Sequence, residues 1–179
     1  MFARTERLLL RPGWIEDAPA LFEAIADEAV VRNLATAPWP YTLDHARAFL
    51  ASERKPDEPS LLIFLRTEGR PELIGTIGLR RRSDALDLGY WIAKPHWNRG
   101  YATEAGEAVV RLALESLRVP RLAAGHFLDN PASGRVLEKL GFRPTGIVAR
   151  RYSAGRGGRA PCRELTLPLA AEADAAMAA

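Results

Sequence analysis

Apolar and polar positions along this chain switch between the short runs of strands and the three-to-four-residue spacing of helices. Leu8-Leu9-Leu10 stops at Pro12, the pattern of a short buried or edge strand. Asp17 followed by Pro19 then marks a helix start, predicting a helix to about Glu28. Pro38-Trp39-Pro40 breaks the chain, and Thr42 caps a second helix on which Leu43, Ala46, Phe49 and Leu50 share a face. Leu61 to Leu65, Leu73 to Leu79 and Leu86 to Ile92 are short runs bounded by Pro59, Gly69-Arg70-Pro71 and Ser83-Asp84, and they predict an antiparallel meander.

The strongest helical signal lies between Ala102 and Arg118. Ala102, Ala105, Val109, Leu112 and Ala113 fall on one face, and Glu104, Glu107, Arg111, Glu115 and Arg118 on the other. Leu122 to Phe127 predicts a strand, Asn130-Pro131 a cap with a first-turn proline, and Gly141 the end of the helix that follows. After a strand beginning beyond Phe142, Ile147 to Tyr152 and Cys162 to Leu167 can pair as a last hairpin. Residues 170–179 form an Ala-rich tail expected to be frayed or weakly helical. No internal repeat or interdomain linker interrupts the pattern, so residues 1–169 read as one domain.

Composition narrows the classes of function. A chain of 179 residues is long enough to bury roughly 70% of its unfolded surface in one core. No apolar run approaches the ~18 residues of a membrane span, and the N-terminus lacks the h-region and cleavage site of a signal peptide. A cytoplasmic protein without membrane association is expected. The single cysteine, Cys162, excludes an internal disulfide, and His45, His96 and His126 lie on different elements without ligand spacing, so no metal is expected. The net charge of +3 comes from 25 basic and 22 acidic residues interspersed along the chain, which argues against nucleic acid as a partner. One basic cluster stands out, Arg150, Arg151, Arg156, Arg159 and Arg163 around Gly155, Gly157 and Gly158; it reads either as a solvated hairpin loop or as a contact for substrate or cofactor phosphate.

The candidate chemistry begins at Trp97-Asn98-Arg99-Gly100-Tyr101-Ala102-Thr103, where a predicted strand feeds a turn that opens the strongest helix. Free N–H groups of a first helical turn, with the positive end of the helix dipole, suit a pyrophosphate, and glycine at 100 permits close backbone approach. The GxxxxGK[ST] spacing of nucleotide-triphosphate loops is absent, as is the three-glycine dinucleotide fingerprint. A second motif, Asn130-Pro131-Ala132-Ser133, continues downstream to Leu140-Gly141-Phe142.

With Thr5-Glu6-Arg7-Leu8-Leu9-Leu10-Arg11 and Gly89-Tyr90-Trp91-Ile92, these segments resemble, in order, the GCN5-related N-acetyltransferase (GNAT) family, and within it the branch of ribosomal-protein alanine N-acetyltransferases. The resemblance implies an α/β (α+β) fold: a mixed, mostly antiparallel sheet of about seven strands flanked by about four helices, splayed between the strands at 86–92 and 122–127, where pantetheine pairs like an added strand. It implies acetyl transfer from acetyl-CoA to a primary amine, a small amine or a protein N-terminus, by a monomer or homodimer. Cofactor contacts are implied at Trp91, Ile92, Trp97, Asn98, Arg99, Gly100, Tyr101, Ala102, Thr103, Asn130 and Ser133. Trp97 stands where many members carry Gln or Arg, which shifts anion binding to backbone N–H groups and Arg99. Leu137 occupies the place of a general-acid tyrosine, for which this branch substitutes a serine, here Ser133.

Acetyl transfer needs a neutral amine, an oxyanion stabiliser and a group that meets the charge on the departing thiolate. Asp87 is the candidate base, since strand alternation places it with Gly89 and Trp91 on one face; an exposed strand carboxylate is the plainer alternative. Glu104 is a rival, although an acidic first-turn residue is explained by the helix dipole alone. Ser133 is read either as the donor to the leaving sulfur or as a first-turn hydroxyl. An α-amine with pKa near 7.7–8.0 costs only about 1 kcal/mol to neutralise at pH 7, whereas a lysine near 10.4 costs about 4–5, which favours an N-terminal α-amine as acceptor.

Overall fold

The computed structural model describes residues 2–169 except 54 and 84, and the tail at 170–179 lies outside the described residues. The strands are β1 (Ala3–Arg4), β2 (Leu8–Arg11), β3 (Ser60–Leu65), β4 (Glu72–Arg82), β5 (Ala85–Ile92), β6 (Arg121–Phe127), β7 (Arg143–Ser153) and β8 (Gly158–Pro168). The helices are α1 (Ala18–Ile25), α2 (Glu28–Val31), α3 (Leu43–Ala51), α4 (Tyr101–Leu112) and α5 (Pro131–Lys139). The strands make one sheet in the order β1-β2-β3-β4-β5-β6-β8-β7. Every pairing is antiparallel except β5 with β6, as expected when a helix, here α4, returns the chain to a parallel neighbour.

Several boundaries depart from the hydrophobic pattern for identifiable reasons. The first predicted helix divides, because α1 ends at Ile25 and the Asp27 side chain accepts from the Ala29 N–H to start α2. Asp17 does not cap α1 through its side chain; its carboxylate accepts from the Trp14 N–H at 2.8 Å and from Arg11 at 2.7 and 2.8 Å. Thr42 caps α3 as its sequence suggests, accepting from the His45 N–H. The amphipathic helix from Tyr101 relaxes into a π-helical turn at Ala113–Leu117 and stops at Arg118, whose φ is +51°. The segment after Phe142 and the strand around Ile147–Tyr152 are one continuous strand, β7, with a register shift between Pro144 and Val148. The extra strand beyond the expected seven is the two-residue β1, and the extra helix is α2.

Two apolar clusters cover opposite faces of the sheet. Leu86, Leu88, Ile92, Leu122 and Ala124 pack with Val109 of α4 and with Leu137 and Leu140 of α5 and its end. Leu62, Phe64 and Leu73 pack with Leu21 and Ile25 of α1, Val31 of α2 and Ala46 of α3, and Trp91 adds its half-buried ring. The sheet is therefore buried from both sides at its centre, which fixes the register of β5. No helix among the described residues is long and apolar enough to cross a membrane.

Candidate active site

Strands β5 and β6 separate part-way along their length. Their ladder pairs Leu86 with Leu122, Asp87 with Ala123 and Leu88 with Ala124 and then ends. Beyond that point β5 stays paired with β4 as far as Ile92, and β6 stays paired with β8 as far as Phe127. A wedge thus opens between Gly89–Ile92 and Gly125–Phe127, with facing backbone edges that no ladder joins. A Cβ built on Gly89 would have no heavy atom within 4 Å, so this glycine faces open space.

At its wide end β5 leads through the turn into α4. Asn98 and Gly100 both take positive φ, +60° and +81°, which curls the backbone tightly before the helix. Gly100 is the N-cap, and no side chain caps α4; the first bond of the helix runs from the Glu104 N–H to the Gly100 carbonyl at 3.0 Å. The N–H groups of Tyr101, Ala102 and Thr103 precede that bond and point out of the helix start, where its dipole favours an anion. The side chains of this turn serve other ends. Trp97 donates its indole N–H to the Ile92 carbonyl at 2.6 Å, which ties the turn to the end of β5. Tyr101 is buried, with the Arg7 guanidinium 4.7 Å from its ring centre. Ile92 lies in the core and Trp91 packs toward the α1–α3 side, so both offer the wedge backbone rather than side chain.

Glu104, the rival base, is a tether. It accepts from the Thr5 hydroxyl at 2.6 Å, the Arg7 N–H at 2.8 Å and the Arg7 guanidinium at 2.7 Å, and Arg7 also donates to the Arg99 carbonyl. Burial raises its carboxyl pKa, but these donors outweigh burial and hold it below the ordinary value. The β1–β2 corner is thereby fastened to the turn before α4, and the Glu104 carboxylate is engaged by these donors.

The other two candidates flank the wedge from opposite faces. Asn130 caps α5, its side chain accepting from the Ser133 N–H at 3.3 Å. Leu137, one turn further on, is buried in the core and brings no hydroxyl. Tyr90 supplies one instead, from the α5 side of β5: its phenol lies 2.9 Å from Ser133 Oγ and 3.1 Å from the Ser133 carbonyl. Burial pushes the phenol pKa up to about 12, against the pull of the bond to Ser133.

Asp87 points to the opposite face, as alternation requires, at the throat where the β5–β6 ladder ends. Its Oδ2 accepts from Arg151 Nη1 at 3.2 Å, while Oδ1 is buried without a partner. Arg151 also reaches Glu164 Oε1 at 3.1 Å, and Arg82 meets the same oxygen at 3.3 Å. Gly125 makes room for this arginine, since a Cβ there would come within 2.9 Å of both Arg151 Nη1 and Cys162 Sγ. Burial raises the Asp87 pKa above the ordinary carboxylate value; Arg151 and Arg82 oppose that rise and Glu164 adds to it.

The arginine-rich hairpin is held by hydrogen bonds of its own and is not a loose loop. Arg156 makes a bidentate contact with Asp129 at 2.8 Å to each oxygen and donates to the Arg32 carbonyl and Asn33. Arg150 and Arg159 donate to each other's carbonyls, and the fully buried Ser153 hydroxyl lies within hydrogen-bond reach of the Arg32 and Leu34 carbonyls. The β7–β8 tip is thereby docked on the segment after α2, beside the Asp87 face of the wedge. The sequence assigned no role at the wedge to Tyr90 or Arg7, and it placed Arg151 only within the basic cluster. Strand parity could have indicated Tyr90, whereas the partners of Arg151 and Arg7 are too distant in sequence for any local signal.

Residues 7–143 match the family described as an acetyltransferase (GNAT) domain. The chain is 31% identical over 161 residues to the uncharacterized N-acetyltransferase YoaA of Bacillus subtilis (strain 168), spanning 86% of this chain and 88% of that protein. Its fold is similar to that of a GNAT-family acetyltransferase from Bacillus anthracis, with TM-score 0.81 and 23% identity over 94% of this chain and 99% of that one. It is also similar to RimL, a ribosomal L7/L12 alpha-N-protein acetyltransferase solved in complex with coenzyme A, with TM-score 0.77 and 16% identity over 94% of this chain and 98% of that one. Splayed sheet, uncapped helix start and sequence agree, and the chain belongs to the GNAT family of acetyltransferases.

Proposed function

We propose that this acetyltransferase transfers the acetyl group of acetyl-CoA to the α-amine of a protein or peptide N-terminus. The pyrophosphate sits on the turn at 97–103, received by the N–H groups of Tyr101, Ala102 and Thr103 and assisted by Arg99. Each charge-assisted bond of this kind contributes about 1.5–3 kcal/mol. Pantetheine lies in the wedge between Gly89–Ile92 and Gly125–Phe127, with Asn130 at its side, and this brings the thioester between Asp87 and Ser133. The fold's likeness to RimL, whose structure holds coenzyme A, supports that placement.

The observation that carries the reading is the arrangement of Asp87 and Ser133 on opposite faces of the opening. An amine arriving from the α1–α3 face meets a carboxylate whose pKa is raised by burial and which therefore accepts a proton more readily than an ordinary aspartate. The departing sulfur is met on the other face by a hydroxyl. Asp87 is still a modest base, and its strength suits an amine that costs about 1 kcal/mol to neutralise at pH 7 better than one that costs 4–5. Free thiol released from acetyl-CoA in the presence of peptides beginning with Ala, Ser or Met, beside polyamines and aminoglycosides, tests the proposal. Turnover with the peptides supports it, preference for a polyamine or aminoglycoside replaces the acceptor, and intact binding without release on any amine makes the chain a non-catalytic acyl-CoA-binding module.

A further inference from the structure

Tyr90 stands on the open stretch of β5, beyond the last pair of the β5–β6 ladder, and its phenol crosses to the first turn of α5. Two acceptors lie within its reach there, Ser133 Oγ at 2.9 Å and the Ser133 carbonyl at 3.1 Å. The phenol has one proton, so two arrangements are possible. When it donates to the carbonyl, the Ser133 hydroxyl is free to turn back and donate to the phenol oxygen, which withdraws its proton from a ligand. When it donates to Ser133 Oγ, the serine proton is free to point away from Tyr90 and into the wedge.

We propose that Tyr90 is a positioning residue for the leaving group, holding Ser133 Oγ as an acceptor so that the Ser133 proton is directed at the sulfur as the C–S bond breaks. The inference rests on the assignment of Ser133 to the sulfur side. In the transfer the amine nitrogen bonds to the acetyl carbon, the C–S bond breaks with its electron pair passing to sulfur, and the amine proton leaves to Asp87. Ser133 then donates a hydrogen bond to the thiolate without surrendering its proton. The phenol likewise keeps its own, because burial leaves it a weaker acid than a thiol of ordinary pKa near 8.5. Tyr90 thus supports, from the opposite wall of the wedge, the serine that stands in for the hydroxyl the buried Leu137 lacks.

The thiol of coenzyme A bound to the enzyme, titrated by thiolate absorbance, reads this device without turnover. In the native protein its pKa falls below that of free coenzyme A. In both Tyr90→Phe and Ser133→Ala it rises by about one unit, a tenfold change in thiolate stabilisation, and the double variant rises no further. Binding of desulfo-coenzyme A stays within twofold in all three, which shows that the fold and the rest of the site are intact. With acetyl-CoA, kcat of Tyr90→Phe falls about tenfold while KM changes by less than twofold, as expected when an interaction made only late in the reaction is lost. A native-like thiol pKa in Tyr90→Phe, with a shift in Ser133→Ala, overturns the role of Tyr90 and leaves Ser133 in place. No shift in Ser133→Ala overturns both.

Discussion

Arg151 Nη1 lies 3.2 Å from Asp87 Oδ2 and leaves the buried Oδ1 of the same carboxylate without a partner. The arginine is anchored from behind by Glu164, which Arg82 also holds, so its charge is fixed in place against burial of the aspartate. Arg80, the register partner of Asp87 on β4, is exposed, and Cys162 Sγ shares with the guanidinium the space left by Gly125. Asp87 is thus balanced between burial, which favours its neutral form, and one close cation, which favours its carboxylate.

That balance predicts the direction of a pH effect. Replacing Arg151 with Met removes the nearer of the two opposing cations, so the Asp87 pKa rises further and the acid limb of kcat/KM moves to higher pH. Arg151→Lys, which keeps the charge, lies between the two. Profiles of kcat/KM against pH check this, and an unmoved acid limb in Arg151→Met contradicts it.

Asp87→Asn separates activity from stability. Loss of a general base costs about 10²–10⁴-fold in rate. The sign for stability is opposite: a carboxyl whose pKa is raised in the folded protein favours folding below its unfolded value near 3.9, and that contribution is lost as pH rises through the folded value. At neutral pH the native carboxylate therefore opposes folding, and the neutral amide escapes this, while Arg151 keeps Glu164. The Tm of Asp87→Asn is predicted to equal or exceed that of the native protein at pH 8, with the advantage shrinking as pH falls through the raised folded value toward 3.9. A lower Tm at pH 8 contradicts the assignment of Asp87 as a destabilising, functional carboxylate.

Glu104→Gln has the reverse sign. Glu104 is held below its ordinary pKa, so its contribution is present above the unfolded value near 4.3 and is lost as pH falls through the folded one. Weakening its charged hydrogen bonds costs about 1.5–3 kcal/mol, or roughly 3–12 °C in Tm for a chain of this size. Thermal melts should show this gap at pH 7 and its closure as pH falls through the lowered folded value. Because the tether reaches the Arg99 carbonyl through Arg7, the KM for acetyl-CoA should rise as well.

Gly100→Ala tests the turn itself. A Cβ there meets only Arg7 Nη2, at an ordinary 3.5 Å, so packing tolerates it. The positive φ does not, at a cost of about 1–2 kcal/mol, and under the proposed function the methyl crowds the face offered to phosphate. Acetyl-CoA at a hundred times its Kd adds about 2.7 kcal/mol to the native protein, roughly 5–11 °C. The same concentration should give less than half that shift in Gly100→Ala, and an equal shift would place the phosphates elsewhere.

The elements of the fold were legible wherever a local pattern sufficed. The meander at 61–92, the helix from Ala102 and the Asn130 cap follow from periodicity and capping residues, and the structure has them within a few residues. Boundaries went astray where a tertiary contact overrode local preference, as when Arg11 drew Asp17 away from capping α1. At the site, Asp87, Ser133 and the turn lie on motifs, but their partners come from remote strands. Arg151 lies 64 residues from Asp87, and Glu104 meets Arg7 from 97 residues away. Tyr90 was within reach of strand parity, since it shares a face with Leu86 and Leu88, yet only the placement of α5 shows that this face presents Ser133 to it.

Under the proposed function an α-amine, rather than a side-chain amine, is the acceptor. A single peptide carrying a free N-terminal alanine and an internal lysine puts the two amines in direct competition at one concentration. After partial turnover with acetyl-CoA, tandem mass spectrometry locates the acetyl group. The proposed function predicts acetylation at the N-terminal nitrogen, diminished in Asp87→Asn; acetyl on the lysine Nζ, with the N-terminus left free, contradicts it.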